Sequence, residues 1–121
     1  MRVVHEGAGG TRVLAGEVAV ADSLFARGRG LMFRRSVPEN YALVFPFGRA
    51  GTRRLHMLFV PFAVDAVWTV DDTVTAAERL PAWTGYGAAR ADVVYELPAG
   101  AAGDVAVGDR VYRTDESGTP K

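Results

Sequence analysis

Cysteine is missing from all 121 residues of the chain. That excludes disulfide staples, thiol nucleophiles and cysteine-ligated metal sites, and it leaves the redox compartment open. Lysine is nearly missing too: Lys121 stands alone, so almost all positive charge sits on guanidinium groups. The only histidines are His5 and His56, and their spacing matches no metal-binding pattern, so neither a metal nor another cofactor is expected. No apolar run approaches the roughly 20 residues that a membrane-spanning helix needs. The opening stretch MRVVHEGAGG has one arginine and no apolar core, which does not read as a secretory signal, and a cytoplasmic location is the expectation.

What the chain does have is core material. Hydrophobic residues make up 49% and aromatics 10%, which argues against intrinsic disorder. A globule of this length buries roughly two-thirds of the surface of its unfolded chain. One domain over residues 1–121 is expected, with its core at about 12–113 and a frayed polar tail at 114–121. Charge sums to zero but is uneven: Arg27, Arg29, Arg34, Arg35, Arg49, Arg53 and Arg54 share one stretch with Glu39 as the only acid. Clustered arginines raise nucleic-acid binding as a reading. A zero net charge and the absence of any nucleic-acid module's motif argue against it, so no nucleic-acid partner is expected.

The pattern along the chain is mainly β. Arg12–Val20 reads as an early strand, with Leu14, Val18 and Val20 on one face. Tyr41–Phe47 places Tyr41, Leu43, Phe45 and Phe47 on one side. Arg53–Phe59 places Leu55, Met57 and Phe59 on one side and His56 on the other. Ala63–Val70 and Thr73–Leu80 flank Asp71-Asp72 and read as a hairpin. Asp92–Leu97 and Asp109–Arg113 complete seven or eight short strands, a compact barrel- or sandwich-like sheet. Loops are expected at 47–52, 81–89 and 98–108. One short helix is expected, capped by Ser23, beginning at Leu24 and ended by Gly28 and Gly30, so the class is α+β at most.

Four stretches in order, RGRGLMFR (Arg27–Arg34), LHMLFVPFAVDAVW (Leu55–Trp68), ELPAG (Glu96–Gly100) and VGDRV (Val107–Val111), resemble the family known as domain of unknown function 192. The resemblance runs over roughly Val18 to Val111. It implies a compact, mostly β fold with one short helix, and it implies no established activity. One departure is local: the family motif has proline two residues before the aspartate, where this chain has Ala63, and proline stands instead at Pro61.

The polar residues that interrupt apolar segments are the functional candidates, because an unpaired charge there is costly. Arg34 follows Leu-Met-Phe; it either closes a helix end or pairs with a buried carboxylate, or it serves as an anion anchor. A hairpin centred between Val60 and Pro61 would set His56 opposite Asp65, where the carboxylate would orient the imidazole. The same pairing also serves as a plain register-fixing contact, and Val-Pro is a poor hairpin turn. Trp68 alternates with Ala66 and Val70 and reads as core, whereas Trp83 lies in the loop-like PAWTGYG, where it serves either as a packing residue or as an exposed binding aromatic. The leading expectation is a non-enzymatic binding or accessory domain for a small anionic ligand or a peptide, using Arg34, His56, Asp65 and Trp83. Two alternatives are an enzyme with His56 and Asp65 as general acid–base and Arg34 as anion anchor, and a structural or assembly module marked by an exposed apolar patch.

Overall fold

The computed structural model describes residues 1–21, 31 and 34–115. Eight strands form one sheet: β1 (Arg2–Gly7), β2 (Gly10–Ala15), β3 (Glu17–Val20), β4 (Tyr41–His56), β5 (Val64–Val70), β6 (Thr73–Leu80), β7 (Tyr86–Pro98) and β8 (Arg110–Thr114). Their spatial order is β2-β1-β8-β6-β5-β7-β4-β3, and all neighbours are antiparallel except β3 and β4. The expected helix from Ser23 lies outside the described residues. Among the described residues there is no helix, and none long and apolar enough to cross a membrane.

The mainly β class is as expected, but the sheet does not close into a barrel. Its two edges, β2 and β3, are consecutive in the chain and meet at Gly16 without a ladder between them. There the expected single strand over Arg12–Val20 is broken. Gly16 N–H donates to the Asn40 backbone oxygen at 3.1 Å and to its side-chain oxygen at 2.7 Å. A Cβ at this position would fall 2.8 Å from the Asn40 amide nitrogen, so any larger residue would push the Asn40 side chain out of this contact.

Three further elements differ from the sequence reading. The opening residues form β1, which lies between β2 and β8 with Val3 fully buried, so the core begins at Val3 and not at Arg12. The segment at Tyr41–Phe47 and the first part of the one expected at Arg53–Phe59 belong to one long β4. This strand ends at His56, so Met57, Leu58 and Phe59 fall in the loop after it. The expected loop at 47–52 is a break in register between Pro46 and Gly51. Proline has no N–H to give to a ladder, so a bulge is where it is tolerated. Likewise β7 starts at Tyr86, inside the expected loop at 81–89. The β5–β6 hairpin forms as expected, with Asp71 (φ 49°) and Asp72 (φ 65°) both left-handed, the geometry a two-residue turn demands.

Both faces of the central strands are buried, which is why they read as nearly continuous apolar runs. Tyr41, Leu43, Phe45, Val64, Ala66, Trp68 and Val94 share one core, and Ala42, Val44, Val67, Tyr95 and Leu97 share the other with Val3, Leu14 and Val111. The far halves of β4 and β7, from Gly51 to His56 and from Tyr86 to Ala91, pair with each other as a ribbon. This ribbon covers the first core: Leu55 and Ala89 pack on it, and Trp68 Nε1 donates to the Arg53 carbonyl at 2.9 Å.

Candidate functional site

The strand registers gather the first core's polar residues at one end of the sheet. Val64 of β5 pairs with both Leu80 and Pro98, and β4 enters the sheet at Tyr41, so the segments around 34–40, 57–63, 81–85 and 99–101 emerge together. Leu31, only 1% exposed, anchors one of them, and its carbonyl accepts from Arg34 N–H at 3.3 Å. That turn holds the half-buried Arg34 over the Tyr41 ring, with the guanidinium carbon 5.5 Å from the ring centre. Arg34 Nη1 also donates to the buried Tyr41 hydroxyl at 3.2 Å.

Behind this pair sits Glu96. It faces Leu43 across one ladder and Ala66 across the other, so both flanking neighbours on its side of the sheet are apolar core. Its exposure is 6%. Burial pushes its carboxyl up to about 7, opposed only by the nearby positive charge of Arg34. Among the described residues no ion pair within 4 Å joins either Arg34 or Glu96 to a partner. Two opposite charges thus lie near each other without direct contact, with a phenol beside the cation. Glu96 was legible only as part of ELPAG. The signal that would have found it is the one applied to Asp65, an acid inside an apolar run, here between Tyr95 and Leu97.

Asp65 has a different task. It is 4% exposed, and its two oxygens accept from Arg79 Nε at 2.9 Å, Gly100 N–H at 3.0 Å and Ala102 N–H at 2.9 Å. It therefore ties the loop after β7 to β5, which accounts for its place in an apolar strand.

His56 and Asp65 are not brought together. The hairpin expected between Val60 and Pro61 does not form, because β7 lies between β4 and β5. His56 pairs instead with Tyr86, is exposed, and accepts from Leu58 N–H through Nδ1 at 3.2 Å. The acid–base arrangement that rested on this pair has no geometric support.

Trp83 is 56% exposed with φ 65° and lies on the turn after β6. Its N–H donates to Val60 at 3.0 Å, while Met57 N–H donates to Gly85 at 2.9 Å, so two loops are laced together. Leu58, Phe59 and Tyr86 are also exposed around them, and Phe59 shares the left-handed backbone at φ 61°. Bulky side chains rarely adopt that conformation, and the lacing holds them in it.

A separate polar cluster lies in the other half of the sheet. His5, 4% exposed, bonds Asp109 Oδ2 through Nε2 at 2.8 Å, and that oxygen also accepts from Ala106 N–H. These bonds hold the Asp109 carboxyl below its usual range. Among the described residues, no group of three or more His, Asp or Glu side chains is placed to hold a metal ion.

The fold and the site define a mainly β domain built on one open sheet with a buried acid and a half-buried arginine at one end. The chain belongs to the family described as uncharacterised ACR, domain of unknown function 192, whose sequence model matches residues 4–112. No functionally curated protein matches it. Two solved structures are similar. One, a protein of unknown function from Novosphingobium aromaticivorans DSM 12444, is 20% identical with a TM-score of 0.78, covering 93% of this chain and 84% of its own. The other, from Sinorhizobium meliloti 1021 and provisionally assigned as a transcription regulator, is 25% identical with a TM-score of 0.77, covering 91% and 90%. The family's function is unknown, and no comparison carries evidence of an enzymatic activity.

Proposed function

We propose that this is a non-enzymatic binding domain whose ligand presents an anionic group to Arg34, with Tyr41 alongside and the exposed Phe59 and Trp83 at the rim. One observation carries the reading. Arg34 is half-buried and held in place by a phenol, while no carboxylate among the described residues forms an ion pair with it. A guanidinium held by one neutral hydroxyl keeps donors for a carboxylate or phosphate, which it grips in a planar, bidentate fashion. His56 and Asp65 drop out as direct ligand contacts in this reading, since Asp65 is fully engaged in its loop and His56 lies on the outer face of the ribbon.

The test is calorimetric titration of the full chain with acetate, succinate and inorganic phosphate, repeated with Arg34→Met. Binding of at least one anion that is lost in the variant, with an unchanged circular dichroism spectrum, is the expected result. Equal binding, or none, in both proteins would sink the proposal.

A further inference from the structure

We infer that the ligand is a short zwitterion, an ammonium and an anion on one small frame, with Glu96 taking the ammonium end and Arg34 the anion. This rests on the anion-binding reading of Arg34 and adds the second anchor and the chemical class. The argument begins with the position of Glu96. Its strand neighbours Leu43 and Ala66 belong to the apolar core, and Tyr41 lies two residues from Leu43 on the same face of β4. Cross-strand diagonal neighbours stand roughly 7–8 Å apart, within reach of long side chains. Glu96 and the Arg34–Tyr41 pair therefore share one face and one end of the sheet.

A structural role for Glu96 would be a direct ion pair with Arg34, closing both charges on each other. Instead Glu96 senses the Arg34 charge while no ion pair within 4 Å joins them. Asp65 shows what a purely structural buried acid looks like in this same fold, with three donors satisfying its two oxygens. A buried carboxylate without such partners is expensive to keep. A molecule of reversed polarity lying between the two groups satisfies both at once. An anion alone would satisfy Arg34 but would place a like charge near Glu96, and an amine alone would do the converse to Arg34. The phenol of Tyr41, already accepting from Arg34, is a further hydrogen-bonding group beside the anion.

The experiment is calorimetric titration at about pH 8 with matched probes. Acetate and propionate carry the anion alone, ethylammonium carries the amine alone, and glycine, β-alanine and phosphoethanolamine carry both at increasing separation. At least one zwitterion is expected to bind about tenfold or more tighter than its matched anion and than ethylammonium, the difference expected from one extra charge-assisted contact. In Glu96→Gln, a near-isosteric change, that advantage should vanish while anion binding persists. The comparison among probes is made on the unaltered protein, so it stands even if the variant folds poorly. Zwitterions binding no tighter than anions, with anion binding still dependent on Arg34, would overturn this inference and leave the anion site intact. An absence of any Arg34-dependent binding would overturn both.

Discussion

Glu96 stands directly opposite Leu43 in the β4–β7 ladder, a carboxyl facing the apolar core on both sides of its strand. Antiparallel partners point to the same face, so the pairing register alone carries this acid inward. The consequence is a buried carboxyl pushed up to about 7 near the end of a central strand.

For stability, the sign follows from the raised pKa. The unfolded carboxyl titrates near 4.5 and the folded one near 7, a gap equivalent to about 3 kcal/mol. Below the lower value Glu96 is neutral in both states; between the two, folding holds a proton that the unfolded chain releases, and stability falls as pH rises. The groups facing it are Arg34 on its turn and Tyr41 on β4, while β5 offers only the apolar Ala66. Glu96→Gln should therefore gain stability over the parent protein as pH climbs from 5 to 8, read from urea midpoints. A constant difference across that range would show that burial does not govern this group.

Arg34 lowers the Glu96 pKa against the effect of burial. Arg34→Met should raise the midpoint above about 7, visible in a carbon-13 NMR titration of glutamate carboxyls. A midpoint that stayed or fell would mean that the guanidinium does not act on this carboxyl.

Removing the Asp65 carboxylate leaves the Gly100 and Ala102 N–H groups without their acceptor. Asp65→Ala should cost about 3 kcal/mol, since buried donors are left unpaired. Hydrogen exchange at those two amides should quicken far more than at Val67 or Val94. Uniform acceleration across β5 and β7 would instead point to global unfolding as the only effect.

The two tryptophans should behave oppositely. Trp68 is fully buried and hydrogen-bonded to Arg53, so Trp68→Ala should cost about 3–5 kcal/mol. Trp83 is more than half exposed, so Trp83→Ala should stay within about 0.5 kcal/mol. Denaturant melts of both variants decide it.

Gly85 has no room for a side chain: an added Cβ would lie 2.6 Å from Met57 Cγ and 2.6 Å from the Pro81 carbonyl oxygen. Gly85→Ala should cost about 1–3 kcal/mol by overpacking and backbone displacement. It should also unlace the Trp83 turn, reported by iodide quenching of tryptophan fluorescence. An unchanged melting midpoint would show that the two loops give way freely.

Local pattern was enough to determine that this is a cysteine-free, mainly β domain with an Asp71-Asp72 hairpin and a core Trp68, and the motif order carried the family. These depend on periodicity and turn chemistry, which neighbouring residues encode. That Trp83 lies exposed was settled only by the fold. The division of the early strand at Gly16 was not legible, because the reason lies in Asn40, 24 residues away. Nor was the role of β1, whose partners β2 and β8 come from both ends of the chain. The site followed the same rule. Arg34 was visible as a cation after an apolar run, but only the sheet order could separate His56 from Asp65 by inserting β7 between their strands. The same strand supplies Glu96, placed opposite Leu43 by a register that no local pattern specifies. Sequence determines which residues face together along one strand; which strands lie side by side is settled by long-range pairing, and there the charges of this protein find their neighbours.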